Sequence, residues 1–220
     1  MKILAIDTAT ERCSVALRIG DESVIRAVDT PRGHADLILP MVESVLNEAG
    51  LTLSALDAIA YGRGPGAFTG VRIAIGVVQG LAFGAEVTTV GISDLAAVAQ
   101  QVAVPNARIL VCMDARMQEV YWSRFEVQDD GLVRSVAAER VDRPEDVSAD
   151  AATHCAGTGF LAYPALGARV GGAVVVGNVL PHAHEIARLA EPELRAGRGQ
   201  PAADAQPTYL RDKVAIVKPV

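Results

Sequence analysis

The chain has 220 residues and a mass of 23.0 kDa; half its residues are apolar and its formal net charge is −6, with a pI near 5.2. A 21% charged fraction and a mean hydropathy of +0.28 exclude a disordered chain and supply a core for one large domain or two small ones. The acidic balance excludes a strongly basic nucleic-acid-binding face, so nucleic acid enters only as a partner shared with other subunits.

Ile3 to Asp7 reads as a buried strand that ends in the tight polar turn Asp7-Thr8-Ala9-Thr10. Cys13 to Leu17 follows as a second strand, and Ser23 to Val28, beyond the Gly20-Asp21 turn, as a third. A helix is predicted from about Ala35 to Ala49, stopped by Gly50. Asp57 to Tyr61 is a short strand that runs into the glycine-rich loop Gly62 to Phe68. Thr69 is placed to cap a helix reaching about Gly84. Val87 to Gly91 is a strand, and Ser93-Asp94 opens a helix that ends before Pro105.

The pattern then restarts. Ile109 to Asp114 repeats the apolar strand ending in aspartate, and Glu119 to Phe125 repeats the strand after it. The 107-residue offset that superposes Asp114 on Asp7 is about half the chain, which predicts two related halves, residues 1–105 and 106–220. In the second half Val174 to Val176 is a strand and His182 to Leu189 a helix. Glu191 to Gln206, rich in Ala, Gly, Pro and charge, is predicted to be a mobile loop, and Pro207 to Arg211 to begin an ordered tail. A strand, acidic turn and meander, then helices, all repeated, predicts an α/β chain with the duplicated architecture of actin and the sugar kinases (ribonuclease H-like), with two βββαβα-type lobes. In that architecture the two acidic turns face a cleft that handles metal and phosphate.

Each motif carries two readings. Asp7, Thr8 and Thr10 suit phosphate held by backbone N–H groups and hydroxyls, or a hairpin turn that satisfies its own backbone. Asp114 is the matching acid, and Arg116 beside it suits a simple ion pair. The glycine-rich loop suits anion binding at a helix start, or a tight connection whose glycines let the helix pack closely; the latter is preferred. No lysine lies between Lys2 and Lys213, which excludes an internal P-loop or Schiff-base lysine. His34, His154, His182 and His184 form no metal-ligand spacing, and His182 and His184 read as solvated surface. No nucleophile, base and oxyanion hole assemble, so no catalytic residue and no metal ligand is assigned.

The helix after Thr69 is apolar nearly all round, and Gly76, Gly80 and Gly84 make a smooth ridge along it. The earlier helix carries the stripe Leu37, Met41 and Val45 beside the stripe Ile38, Val42, Leu46 and Ala49. One stripe covers the sheet and the other needs a cover. This predicts a subunit interface built from Leu37, Met41, Val45, Ile73, Gly76, Val77, Gly80, Leu81 and Gly84; the alternative is that the two helices cover only each other. The longest apolar stretch, Val71 to Gly84, reads as too short to cross a bilayer. Three widely spaced cysteines, Cys13, Cys112 and Cys155, and a start without a cleavage-site pattern predict a cytoplasmic protein.

These residues resemble one family. Ile3 to Thr10, His34-Ala35-Asp36 with Leu39-Pro40-Met41, Gly64-Pro65-Gly66-Ala67-Phe68-Thr69-Gly70-Val71-Arg72, and Pro207 to Arg211 with Val214-Ala215 are similar to the bacterial TsaB (YeaZ) family. The resemblance runs from residue 1 to about 215. It implies a member of the actin-like ATPase superfamily that is non-catalytic by itself and binds no cofactor tightly. It implies a partner subunit that binds and activates TsaD, with the small ATPase TsaE consuming ATP, in making N6-threonylcarbamoyladenosine in tRNAs reading codons that start with A. The threonylcarbamoyl adenylate comes from TsaC. It also implies a homodimer when alone, contact with tRNA only through the complex, no membrane, and an interface on helices 35–49 and 69–84. Asp7, Thr8, Thr10 and Asp114 would then mark a vestigial nucleotide cleft. The related TsaD family carries a histidine-rich metal motif that this chain lacks, which also speaks against a metalloprotease. The remaining alternative is an ATP-dependent phosphotransferase of the actin-like class using Asp7 and Asp114.

Overall fold

The structure, a computed structural model, describes residues 1–211; Val214 and Ala215 of the C-terminal motif lie outside them. The first half forms β1 (Lys2–Asp7), β2 (Arg12–Ile19), β3 (Glu22–Asp29), α1 (His34–Ala49), β4 (Ala58–Gly62), α2 (Phe68–Ala85), β5 (Thr88–Ile92) and α3 (Asp94–Gln101). The second forms β6 (Arg108–Asp114), β7 (Val120–Val127), β8 (Val133–Ser135), β9 (Arg140–Asp142), β10 (His154–Ala156), α4 (Gly159–Ala162), α5 (Pro164–Arg169), β11 (Val174–Val176) and α6 (Ala183–Arg195).

The first sheet has the order β3-β2-β1-β4-β5. Its first three strands are an antiparallel meander, and β4 and β5 run parallel to β1. The second sheet, β8-β7-β6-β10-β11, repeats that order and those directions, with β9 as an extra strand on β7. The chain therefore has a duplicated α/β fold. Helices α3 and α6 lie between the sheets, and their apolar residues join Ile3, Ala5 and Ala16 on one side to Ile109 and Val111 on the other in one core. On the outer face of the first sheet α1 and α2 form a second core with Leu4, Ile6, Val15 and Leu17. α4 and α5 cover the outer face of the second sheet.

Four expectations are corrected. Helix α2 begins at Phe68 with Ala67 at its N-cap and no side-chain cap, so Thr69 sits inside the first turn. At 18 residues, α2 is long and apolar enough, by length and composition alone, to cross a membrane; its inner face, including Val71, Ala74, Ile75 and Val78, is instead buried on the first sheet. Residues Glu191 to Gln206 are ordered. Helix α6 continues through Pro192 to Arg195, Gln200 and Thr89 exchange two backbone hydrogen bonds of 2.8 Å, and Gln206 N–H donates to the Tyr61 hydroxyl at 3.1 Å. The loop-like composition is overridden by pairing with a strand far away in sequence. His182 is the N-cap of α6, its Nδ1 accepting from the His184 N–H at 3.1 Å, and burial pushes its pKa down to about 4.

Candidate functional site

The acidic turns lie at the corresponding strand ends of the two sheets. Asp7 closes β1 and accepts a hydrogen bond from the Ala9 N–H at 2.9 Å. Asp114 closes β6 and accepts from the Arg116 N–H, also at 2.9 Å. The same Asx-type turn is thus built twice.

Their surroundings then diverge. Asp7 is fully buried, and beside it lies the equally buried Asp94 at the start of α3. Both crowd over Gly62: a methyl group there would overlap the Asp94 carboxylate and reach within 2.6 Å of Asp7 Oδ1. Asp94 also accepts from the Gly64 N–H at 2.6 Å, which pins the glycine-rich loop. Burial pushes Asp7 up to about 6, and burial with the charge of Asp7 pushes Asp94 well above the usual carboxylate range. Two buried carboxylates crowded against one glycine favour one proton held between them. Asp94 carried no signal in the sequence beyond that of an ordinary helix start.

Asp114 is only partly buried. Arg116 Nη1 lies 3.2 Å from its Oδ2, and the Tyr163 hydroxyl donates to Oδ1 at 3.2 Å. Thr8 Oγ1 donates to Gly70 O at 2.7 Å, Thr10 Oγ1 accepts weakly from the Arg12 N–H, and Thr10 O bonds His34 Nε2 at 2.9 Å. The loop glycines serve close packing, as preferred from the sequence. A methyl group on Gly66 would overlap Ala9 O and one on Gly70 would overlap Thr8 O. The Ala67 N–H at the start of α2 donates to Ala9 O at 2.7 Å instead of facing solvent.

Between the strand ends lies a cleft of about 1530 Å³. Thr8, Thr10 and Asp114 line it, with the first turn of α2 and Thr208 to Arg211; Asp7 lies beneath its floor. Among the described residues no group of three or more His, Cys, Asp or Glu is placed to hold a metal. At its mouth the Arg72 guanidinium sits 3.2 Å from the Phe68 ring centroid and 4.9 Å from that of Tyr209. Nothing in the sequence pattern paired Arg72 with Tyr209, because 137 positions separate them.

The outer helices present the predicted interface residues unequally. Gly76, Gly80 and Gly84 are exposed, and a Cβ on any of them would meet nothing within 4 Å. Leu37, Met41, Ile73, Val77 and Leu81 are half-buried beside them. Val45 is fully buried in the core under the sheet and does not reach this face. Phe83, one of the apolar residues of the same helix but outside the predicted interface set, is 82% exposed.

Comparison with known proteins decides the family. The chain is 43% identical to the tRNA threonylcarbamoyladenosine biosynthesis protein TsaB of Escherichia coli K12, over 99% of this chain and 98% of that protein. The chain belongs to the TsaB family. The TsaB of Haemophilus influenzae is 37% identical, over 99% of this chain and 97% of its own length. Residues 28–162 match the family model described as TsaD, tRNA N6-adenosine threonylcarbamoyltransferase, so this TsaB chain belongs to the wider family of that model. Two solved Pseudomonas aeruginosa structures share the fold. One, described as an uncharacterized protein similar to peptidase YEAZ, has a TM-score of 0.89 and 44% identity over 96% of this chain and 99% of its own. The other, YeaZ, has a TM-score of 0.84 and 43% identity over 95% and 99%.

Proposed function

We propose that this chain works in the biosynthesis of N6-threonylcarbamoyladenosine in tRNA, as the partner subunit that binds and activates TsaD. TsaD carries out the transfer, TsaE consumes ATP, and this chain supplies a surface rather than a catalytic group. When no TsaD is present, a second copy occupies the same surface. tRNA is met through the complex.

The observation that carries this reading is the bare strip of Gly76, Gly80 and Gly84 flanked by half-buried apolar side chains on α1 and α2. Small residues let another helix approach closely, and an uncovered strip of this kind marks a protein contact. The phosphotransferase alternative finds less support in the cleft: Asp7 lies under the floor beside Asp94, and Arg116 offsets the charge of Asp114.

The test is threonylcarbamoyl transfer to tRNA with TsaC, TsaD and TsaE of the same organism, with and without this chain. Activity that disappears on omission, with none from this chain and TsaC alone, is the expected outcome. Full activity without the chain would overturn the proposal. Calorimetry with ATP addresses the alternative, which requires binding by this chain alone.

A further inference from the structure

The two halves share one core at the α3 and α6 layer, but at the mouth of the cleft they meet mainly through polar ties. Residues Pro207–Arg211 form the longest of these and have no regular secondary structure. The segment starts on the first half, where the Thr208 N–H donates to Arg63 O at 2.8 Å and the Arg63 guanidinium bonds the Thr208 hydroxyl. It passes the start of α2, where Tyr209 lies 6.4 Å from Phe68 with Arg72 against both rings. It ends on the second half, where the Arg211 guanidinium donates to Ala115 O at 3.1 Å and pairs with Glu119.

The turn that Arg211 grips is strained. Arg116, Met117 and Gln118 have φ of 60°, 56° and 61°, three consecutive non-glycine residues in the left-handed region. Such a run persists only where its surroundings hold it. The turn closes on itself through the Ala115 N–H to Glu119 O and the Glu119 N–H to Arg116 O, each at 3.0 Å. The contacts that brace it from outside are polar and lie at the mouth: Arg211 on Ala115 and Glu119, and Arg116 on Asp114 and on Glu11 of the opposite half at 3.2 Å. Arg63 and Glu139, 2.9 Å apart, tie the halves at the same side. Tyr209 is half-exposed, so little apolar burial holds the middle of the segment.

We infer that Pro207–Arg211 is a releasable strap: closed, it fixes the width of the cleft and the strained β6–β7 turn, and on release of Arg211 from Glu119 the turn relaxes and the mouth opens. The strap lies over Phe68 and Arg72, so its release also uncovers the start of α2. That last consequence bears on pairing only if the docking surface proposed above is right.

The experiment is hydrogen exchange by mass spectrometry on the full chain, without partners. Its outcome is therefore separate from that of the docking proposal. Glu119→Gln and Arg211→Glu should each speed exchange of amides 115–119 on the order of tenfold, with smaller gains at 8–11 across the mouth. Exchange in α3 and α6 should not change, which shows that the variants are folded. Combining Arg211→Glu with Glu119→Arg should restore part of the protection, because the ion pair returns while Ala115 O stays without its donor. Unchanged exchange at 115–119 in both single variants would overturn the inference, as would loosening that the double reversal does not reduce at all. Exchange that rises throughout the chain would overturn it too, since Arg211 would then hold the whole fold rather than a strap.

Discussion

Asp7 and Asp94 are two acids in a place where water does not reach, and their folded pKa values lie above the ordinary 3.8. The folded chain therefore binds protons more readily than the unfolded one. This contribution to stability is complete below about pH 4 and is lost as pH rises through about 6. His182 acts in the opposite sense: its folded pKa is lowered from 6.5 to about 4, so it removes stability as pH falls through that window. The two effects overlap, and a difference between variants separates them. Asn at position 94 can still accept from the Gly64 N–H while presenting an N–H to Asp7. Asp94→Asn should thus gain on the order of 2 kcal/mol relative to the parent chain above pH 6 and lose that gain near pH 4. Denaturant melts from pH 4 to 8 read this directly, and parallel profiles for the two proteins would refute it. Asp7 could be found in the sequence because its strand and turn recur at Asp114. Asp94 could not, since its meaning comes from the strand order that lays β5 beside β4.

The glycines of α2 divide into two kinds that share one sequence pattern. Gly70 faces the Thr8 carbonyl, and Gly70→Ala should cost about 3 kcal/mol because neither backbone can retreat. Gly80 faces open space. Gly80→Ala should stabilise the monomer by about 0.5–1 kcal/mol through helix propensity, whereas Gly80→Leu should leave it folded and weaken pairing at least about tenfold. Thermal melts and sedimentation equilibrium separate these outcomes, and pairing by Gly80→Leu at the parental strength would refute the docking surface. The periodicity of α1 and α2 showed where the helices lie and that two apolar faces exist. It did not show that Val45 belongs to the inner one, since its stripe is set by the angle at which α1 crosses β2 and β3. Element ends at Phe68 and Arg195 were misplaced for a related reason: Ala9 fixes the first by bonding Ala67, and pairing with β5 orders the chain after the second.

The duplication was legible because each half spells the same strand, turn and strand, and the two sheets repeat one strand order. The placement of α6 was not legible. α6 packs on β1, β2, β4 and β5 of the first sheet, and Gln200 to Gln206 bonds to that sheet as well. Helices of this amphipathic kind fit either sheet, and only the chain path chooses. Residues 1–105 by themselves would leave the inner side of β1 and β2, with Ile3, Ala5 and Ala16, without its cover. That fragment should show no cooperative unfolding transition and poor dispersion in its amide spectrum. A sharp melt of the isolated fragment would show that the first sheet needs no help from α6.

Synthesis runs from the N-terminus, so the packing of α6 on the first sheet sets a schedule. The first sheet is translated early, yet one of its faces waits for residues 183–195. A nascent chain halfway made carries a finished meander with an open apolar side, the kind of surface that chaperones bind and that aggregates when it lingers. Ribosomes stalled before α6 emerges should therefore hold a first half that proteases cut readily, and release of the chain from residue 183 onward should protect residues made long before it.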